Sequence, residues 1–229
     1  MSRPPAVPPP DPQGFLSDAA HQLKTPLAAL KSQLELAIGD ADEDSLRRRL
    51  ADMSATLDGV IHLAHQLLAL ARAEPGAGLP ADRQPMRLDA ILGRLADSHL
   101  DMAVARNIDL GFELEAAEIE GVPWLLRELA VNLVENGLNY TQPGGRVTVR
   151  CGRRDGHAFI EVEDDGPGIP PDERSRVFER FHRVPGSAGD GCGLGLAIVK
   201  EIAARHAATV GVAAGAGGRG ARFTVRFSA

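Results

Sequence analysis

The stretch that decides the fold is "PWLLRELAVNLVENGLNYT", Pro123 to Thr141. It opens with a proline, which is tolerated in the first turn of a helix because the missing N–H would have no partner there. Leucines recur at helical spacing, while Glu128, Asn132 and Asn136 follow one another at steps of four residues and therefore share one face. The stretch predicts a helix with leucine faces that can be buried and one polar column.

The polar column suits a ligand better than a protein core. Buried side-chain amides need hydrogen-bond partners, whereas a phosphate-bound Mg²⁺ ion needs hard oxygen ligands and water. A solvated helix face would show the same residues, so the column alone leaves both interpretations open.

The segments around this helix predict the rest of an α/β block. Period-two alternation predicts strands, apolar steps of three and four predict helices, and Asp155-Gly156 marks a turn between two strands. Helices and a mixed sheet in one block predict a two-layer α/β sandwich. The predicted helices are 88–105 and 194–206, and the predicted strands are 107–114, 146–151, 157–164 and the stretches "ATVGVAA" and "ARFTVRF".

Two glycine-rich turns in this block could approach a nucleotide. In "EDDGPGI", Glu163 to Ile169, an unpaired carboxylate can accept a hydrogen bond from an exocyclic amine such as that of adenine. In "GDGCGLGLAIV", Gly189 to Val199, glycines open a helix whose first N–H groups favour an anion. A simple Asp-Gly turn explains the first motif equally well. The second does not follow the first strand of a βαβ unit, which excludes a dinucleotide fingerprint.

The N-terminal block predicts a helical hairpin. Apolar residues step by four and three from Leu16 to Ala37 and again from Leu46 to Ala71, with "GDADEDS" between the two runs. The candidate N-caps of the second helix are Asp42, Asp44 and Ser45. A single hairpin leaves half of its apolar seam in water, so we expect two copies to form a homodimeric four-helix bundle. A plain coiled-coil stalk is the alternative.

The first helix of the hairpin carries a helix breaker next to a histidine, in "HQLKTPL". His21 and Thr25 are four residues apart and share a face. Pro26 removes a hydrogen bond to the carbonyl of Gln22, which predicts a kink beside His21. Without the α/β block, His21 would be interpreted as an exposed helical histidine.

Bulk composition excludes several classes of protein. The net charge is -6 and aromatic residues make up 4% of the chain, which argues against nucleic-acid binding. Two cysteines fit a reducing compartment, and no apolar run approaches the ~20 residues that cross a bilayer. We therefore expect a cytoplasmic chain that makes no membrane contact, either a soluble protein or the cytosolic portion of a membrane protein.

Composition and periodicity also divide the chain. Residues 1–13 are proline-rich, which predicts a disordered leader. The hairpin takes residues 14–74, a glycine- and proline-rich linker takes 75–82, and the α/β domain takes 83–229.

Taken in order, the motifs resemble those of bacterial two-component sensor histidine kinases. "HQLKTPL" resembles the histidine box of that family, "NLVENGLNYT" its asparagine box, "DDGPGI" and "GCGLGLAIV" its two glycine boxes, and "FERFHR" its phenylalanine box. The resemblance covers residues 14–229. It implies a dimerisation and phosphoacceptor hairpin followed by an ATP-binding domain with the Bergerat fold, which gyrase-type ATPases share.

The resemblance implies a protein-histidine kinase. ATP, bound with Mg²⁺, would donate its γ-phosphate to His21, and the phosphoryl group would pass to an aspartate in the receiver domain of a response regulator. Thr25 stands where many relatives orient a water molecule for a phosphatase reaction. The implied catalytic residues are His21, Gln22 and Thr25.

The resemblance also implies an ATP site in the α/β domain. Asn136 would hold Mg²⁺, and Asp164 would accept a hydrogen bond from the adenine amine. A lid at about 183–190 would be anchored by Phe178 and Phe181. The implied ATP-binding residues are Asn132, Asn136, Tyr140, Asp164, Gly166, Gly168, Ile169, Phe181, Gly191, Gly193, Leu194 and Gly195.

Three positions depart from the family pattern. Gln22 stands where a carboxylate is usual, and it would support a developing imidazolium less well because it carries no charge. Asn139 replaces a common basic residue, which removes one possible phosphate contact. Cys192 stands where a small hydroxyl residue is common. A helix N-terminus could lower the pKa of this thiol, whereas burial would leave it inert.

These departures leave two functions open. The first is an autophosphorylating kinase, and the second is a kinase-poor, nucleotide-binding scaffold that acts mainly as a response-regulator phosphatase. An ATPase of the chaperone or topoisomerase type is disfavoured because Asn132 stands where such hydrolases need a general-base carboxylate. Phosphohistidine, rather than free phosphate, would separate these functions.

Overall fold

Two compact units make up the chain, residues 1–67 and residues 68–229. The computed structural model describes the backbone of residues 12–38, 42–73, 83–187 and 192–228. The predicted fold class is confirmed for one chain, because the first unit is helical and the second is an α/β sandwich with a mixed sheet. The four-helix bundle of a dimer stays a prediction.

Several sequence-based predictions lie outside the described residues. These are the disorder predicted for residues 1–11, the linker at 75–82, the lid residues 188–190 and the site residue Gly191. The boundary between the two units falls between Leu67 and Leu68, inside the second helix, so the domain bounds at 74 and 83 stay predictions.

The first unit is built on a helical hairpin. Helix α1 spans Pro12–Ile38 and helix α2 spans Glu43–Ala73. The prediction that all of residues 1–13 are non-helical is wrong for Pro12 and Gln13, because a proline fits the first turn of a helix. Pro26 lies inside α1 without ending it.

The start of α2 confirms one of the three candidate N-caps. The backbone N–H of Ser45 donates to Oδ2 of Asp42 over 3.0 Å, so Asp42 satisfies an N–H that the first turn would otherwise leave unpaired. The turn between the helices therefore has a local sequence determinant.

The apolar seam of the hairpin is only half covered within one chain. Ala37 and Leu63 are buried, with 7% and 6% of their surface exposed. Alternate seam positions stay about half exposed: Leu27 51%, Leu34 47%, Leu50 52% and Leu57 49%. The hairpin thus presents a second apolar stripe, as expected of a helix pair that is one half of a larger bundle.

The second unit contains seven strands and three helices in its described part. The strands are β1 Gln84–Arg87, β2 Asp109–Leu114, β3 Glu118–Gly121, β4 Arg146–Arg154, β5 His157–Asp164, β6 Ala208–Ala214 and β7 Ala221–Phe227. The helices are α3 Leu88–Ala105, α4 Pro123–Tyr140 and α5 Gly195–Arg205, with 3₁₀ turns at Arg176–Phe178 and Ala216–Gly218. The predicted helices and the five predicted strands are all present. Strands β1 and β3 were not predicted.

A five-stranded mixed sheet forms one layer of this unit, in the order β2-β4-β5-β7-β6. Strands β2 and β4 are parallel and the other neighbours are antiparallel. The turn between β4 and β5 uses Asp155 and Gly156, both with positive φ (53° and 81°), as the sequence predicts. The separate β1–β3 pair is antiparallel.

Helices α3, α4 and α5 form the other layer, and the core lies between the two. Gly137 of α4 lies against the sheet, because a Cβ there would come within 3.0 Å of Val147 and 3.4 Å of Val162. The core residues with 0% or 1% exposure include Leu92, Leu125, Leu129, Leu133, Val147, Val149, Ile160, Val162, Ile198, Phe223 and Val225. Among the described residues, no helix is both long and apolar enough to cross a membrane.

Candidate active site

Asp164, the last residue of β5, lies at the centre of the candidate site. Strand alternation sends Glu163 to the open face of the sheet, where its carboxylate pairs with Arg150 over 2.6 Å. Asp164 turns to the helix side and is 5% exposed. Its Oδ1 accepts backbone N–H groups from Gly166 over 3.0 Å and from Ala221 over 3.1 Å.

The environment of Asp164 leaves one acceptor available. Burial raises the pKa of its carboxyl, and the two backbone hydrogen bonds partly oppose that rise. Its Oδ2 accepts no hydrogen bond from any described residue, so this oxygen can accept from a ligand amine.

Close backbone approaches hold the turn after Asp164 in place. A Cβ on Gly166 would lie 2.6 Å from the carbonyl oxygen of Tyr140, at the end of α4. Gly168 has φ of +76°, and its Cβ would lie 2.8 Å from the carbonyl oxygen of Gly220. Both positions require glycine, because any side chain would displace neighbouring backbone.

The connection between β6 and β7 contributes residues that sequence reasoning missed. Gly220 passes so close to Asp164 that a Cβ there would overlap the carbonyl oxygen of Asp164. The next residue, Ala221, donates to the Asp164 carboxylate. In the sequence, the glycine-rich run 215–220 is the only signal for these contacts. That run does not show that Asp164 is the residue contacted.

Helix α4 places Asn132 and Asn136 on successive turns of one face, as predicted, and Tyr140 follows one turn later. Asn132 is 5% exposed, and its Nδ2 donates to the carbonyl of Glu128 over 2.8 Å. Asn136 is half-buried, and its side-chain amide makes no hydrogen bond to another described residue. An amide in that state can offer its oxygen to a metal ion or its N–H groups to a phosphate.

No complete metal cage is present in the described part of the chain. No cluster of three or more His, Cys, Asp or Glu side chains is placed there to hold a metal ion. The available donor is the amide of Asn136, which fits Mg²⁺ that is bound mainly through phosphate oxygens and water.

Aromatic packing fixes the segment that precedes the lid. The ring of Phe178 meets Phe223 of β7 edge-on, with centroids 6.3 Å apart and an interplanar angle of 88°. Phe181 has φ of 61°, and its backbone N–H donates to the carbonyl of Gly193 over 2.9 Å. His182 pairs with Glu173 through Nε2 and Oε2 over 2.6 Å.

The residues that follow the lid lie beside the segment that precedes it. Gly193 has φ of +76°, and a Cβ there would lie 2.8 Å from the carbonyl oxygen of His182. Leu194 is fully buried, and Gly195 begins α5. The two ends of the lid therefore meet at one point beside the start of α5. Ile169 is half-buried in the turn after Asp164.

Cys192 does not have the reactive environment that a helix N-terminus could provide. Burial raises the pKa of its thiol, and the backbone hydrogen bond from Leu194 only partly opposes that rise. Of the two possibilities for this thiol, the structure supports the inert one. Cys151 forms no disulfide and is buried, and burial raises its pKa to about 11.

The predicted phosphoacceptor residues lie on α1. His21 and Gln22 are both within this helix, although their side chains fall outside the described residues. Thr25 is one turn further on and is exposed. The structure thus keeps the one-turn relationship between positions 21 and 25 in the folded helix.

Two family models match the chain in the same order as the two units. Residues 13–76 match the model described as "His Kinase A (phospho-acceptor) domain". Residues 121–229 match the model described as "Histidine kinase-, DNA gyrase B-, and HSP90-like ATPase".

A curated relative matches most of the chain. The sensor protein kinase PmrB of Pseudomonas aeruginosa is 35% identical over 205 residues, which cover 89% of this chain and 43% of PmrB. The chain therefore spans less than half the length of this relative.

Solved structures agree with this grouping. The mycobacterial sensor histidine kinase MprB is 32% identical with a TM-score of 0.56, over 63% of this chain and 96% of that chain. The histidine kinase ThkA, solved in complex with the response regulator protein TrrA, has a TM-score of 0.74 over 93% of this chain and 60% of that chain. At 17% identity, the likeness to ThkA shows the fold alone. With both family models matched in order and MprB covered almost completely, the chain belongs to the sensor histidine kinases.

Proposed function

We propose that this chain is the catalytic core of an ATP-dependent protein-histidine kinase that phosphorylates His21. The observation that carries the proposal is the environment of Asp164, which is buried and accepts two backbone N–H groups through Oδ1, while its Oδ2 accepts no hydrogen bond from the described part of the chain. A buried carboxylate with a free acceptor oxygen is suited to recognise the exocyclic amine of adenine.

The polar face of α4 supports the binding of the phosphates. Asn136 would hold Mg²⁺ through its side-chain oxygen, and Asn132 lies one turn away. When bound with ATP, Mg²⁺ supplies positive charge that offsets the negative charge of the phosphates. Asn132 and Asn136 keep the triphosphate in one orientation, which is the main contribution of a protein to phosphoryl transfer.

Phosphoryl transfer to His21 exchanges one P–O bond for one P–N bond. A ring nitrogen of neutral His21 forms a bond to the γ-phosphorus, the bond from that phosphorus to the β–γ bridging oxygen breaks, and ADP keeps the electron pair. The proton on the other ring nitrogen then passes to solvent. The side-chain oxygen of Gln22 can accept a hydrogen bond from that N–H during the step, but without the charge of a carboxylate.

The second transfer takes the phosphoryl group to a response regulator. An aspartate oxygen of the receiver domain attacks the phosphorus of phosphohistidine, and the N–P bond breaks. The family match supports this assignment, and ThkA, a protein of the same fold, was solved in complex with a response regulator.

The active assembly is proposed to be a homodimer. The half-exposed stripe on α1 and α2 would be covered by the same stripe of a second copy, which gives a four-helix bundle. We also propose a cytoplasmic location, which the two free cysteines support.

A response-regulator phosphatase with little kinase activity is the second candidate. Two features favour it: Gln22 stands in place of a carboxylate, and Thr25 is exposed on α1, where it can reach solvent.

Labelling with ATP that carries a radioactive γ-phosphate, in the presence of Mg²⁺, separates the two candidates. A kinase gives protein-bound label that is acid-labile and base-stable in the wild type and absent in His21→Ala. Measurable ATP binding without label would refute the kinase and favour the phosphatase.

A further inference from the structure

The end of helix α3 places a cation beside the polar face of α4. Arg106 is the C-cap residue of α3. Its guanidinium donates from Nη1 to the side-chain oxygen Oδ1 of Asn139, a residue 33 positions further along the chain. The bond joins two helices that the sequence gives no reason to connect at this point.

Asn139 belongs to the face that carries the proposed phosphate-binding residues. It follows Asn136 by three residues and Asn132 by seven, and these spacings keep all three side chains on one side of a helix. Arg106 therefore contacts this face of α4 through its hydrogen bond to Asn139.

The face needs a positive charge that α4 does not supply. Arg127 is the single basic residue of α4, which is described along its whole length, and Arg127 pairs with Glu128 over 3.7 Å. Glu135 adds a further carboxylate to the same helix. Apart from the Mg²⁺ that binds together with ATP, a triphosphate at this face would meet only carboxylates and neutral amides of α4 unless another element supplied a cation.

Arg106 has the properties that such a cation requires. It is exposed, and it makes no ion pair with a carboxylate among the described residues. A guanidinium that uses one N–H to bond Asn139 keeps its other N–H donors for a second ligand. Its planar arrangement of donors matches phosphate oxygens.

A purely structural role explains the contact less well. An exposed hydrogen bond between a flexible arginine and a neutral amide contributes little to folding, because water competes for both partners. A carboxylate would be the usual neighbour for an arginine held only for stability, and none is within ion-pair distance in the described part of the chain.

We propose that Arg106 is a phosphate-binding residue of the ATP site, held in place by Asn139. The proposal rests on the proposed function, because it assigns Arg106 to the same nucleotide. It also revises the expectation that Asn139 removes a phosphate contact. The positive charge is supplied by α3, and Asn139 positions it.

Nucleotide affinity measured by calorimetry tests the proposal on the whole chain. Arg106→Gln keeps a side chain that can donate to Asn139 but removes the charge, and Arg106→Ala removes both. Each is expected to weaken binding of ATP with Mg²⁺ by about tenfold, as for loss of a charged hydrogen bond. Adenosine, which has no phosphate, should bind as it does to the wild type.

Two further variants complete the design. Arg94→Ala removes an exposed arginine from the same helix, and its ATP affinity should be unchanged. Among the described residues, Arg94 hydrogen-bonds the carbonyl of Ala90 alone. Arg106→Ala combined with Asn139→Lys returns a cation to the face and should recover most of the lost affinity. The effect of Arg106→Gln should also shrink at high salt, because phosphate contacts are screened.

Unchanged ATP affinity in both Arg106 variants would overturn the proposal. An equal loss for ATP and adenosine would overturn it too, because that pattern indicates a structural defect. Failure of the proposed function has a different signature, which is a wild-type chain that binds ATP through Arg106 but places no label on His21.

Discussion

Gly166 lies against the end of α4 so closely that a Cβ on this glycine would be 2.6 Å from the carbonyl oxygen of Tyr140. This approach joins the turn that follows Asp164 to the helix that carries Asn132 and Asn136. The adenine side and the phosphate side of the proposed site therefore contact each other through the backbone, and a change in the turn should alter nucleotide binding.

Replacement of Gly166 tests this coupling. In Gly166→Ala the added methyl group meets backbone rather than a flexible side chain, so the turn or the end of α4 must shift. We expect ATP affinity to fall at least about tenfold, which is the scale of one displaced hydrogen bond to a charged group. Gly111→Ala is the matched control, since nothing lies within 4 Å of its Cβ position. Equal affinity in the two variants would contradict the coupling.

The raised pKa of Asp164 predicts a pH dependence of nucleotide binding. Because burial raises this pKa, the carboxyl binds its proton at a higher pH in the folded chain than in the unfolded chain. ATP affinity should be greatest above the folded pKa and should fall as the pH decreases through it. A binding series from neutral to acidic pH checks this, with Asp164→Asn expected to be weak and nearly independent of pH.

The raised pKa of Asp164 also affects the stability of the folded chain. A raised carboxyl pKa means that ionised Asp164 costs stability at neutral pH, and that this cost disappears as the pH falls through the folded pKa. Asparagine can still accept the N–H groups of Gly166 and Ala221 through its oxygen. Asp164→Asn should therefore unfold at a temperature no lower than the wild type at neutral pH. A clear loss of thermal stability would show that the ionised carboxylate holds the turn together.

The half-exposed apolar stripe on the hairpin predicts a dimer that one charged substitution in the stripe should dissociate. Leu34 and Leu57 are 47% and 49% exposed in one chain, and in a four-helix bundle they would be buried. Leu57→Asp should convert the dimer to a monomer in sedimentation experiments. Leu100→Asp places the same charge on α3, where Leu100 is 54% exposed, and should leave the dimer intact. Identical sedimentation of both variants would argue against this interface.

Gln22 predicts a gain of activity. A carboxylate at this position would accept a hydrogen bond from the N–H on the non-attacking ring nitrogen of His21 and stabilise the charge that develops on the ring. Gln22→Glu should raise the initial rate of His21 labelling by about tenfold, at the low end of acid–base contributions. Ser32→Glu adds the same charge at an exposed position of α1 and should not change the rate. Lower labelling in Gln22→Glu would mean that the amide is the better partner for His21.

Local sequence patterns predicted most of the helices and strands, but they could not predict contacts between residues far apart in the chain. Helix α3 was predicted at its observed bounds because its apolar period is regular. Strands β1 and β3 were missed because each has four residues and exists through its partner more than 30 positions away. The sequence pointed to Asp164, but the donation from Ala221, 57 residues later, depends on the course of β7.

The hydrogen bond between Arg106 and Asn139 likewise could not be predicted from the sequence, and it concerns a proposed functional residue. Read as a motif, Asn139 indicates a lost cation, because a motif reports only neighbours along the chain. The folded structure brings a guanidinium to that position from the end of another helix. When one helix brings a charged side chain to a site on another helix, no single position of the sequence indicates it.

Mapping the phosphoryl group by mass spectrometry after incubation with ATP and Mg²⁺ tests the central claim most directly. The chain has 7 histidines, so the six besides His21 serve as internal controls. We predict a single phosphorylated histidine, His21, with the others unmodified. Phosphorylation on another histidine, or none in a chain that binds ATP, would contradict the assignment of this chain as a kinase acting on His21.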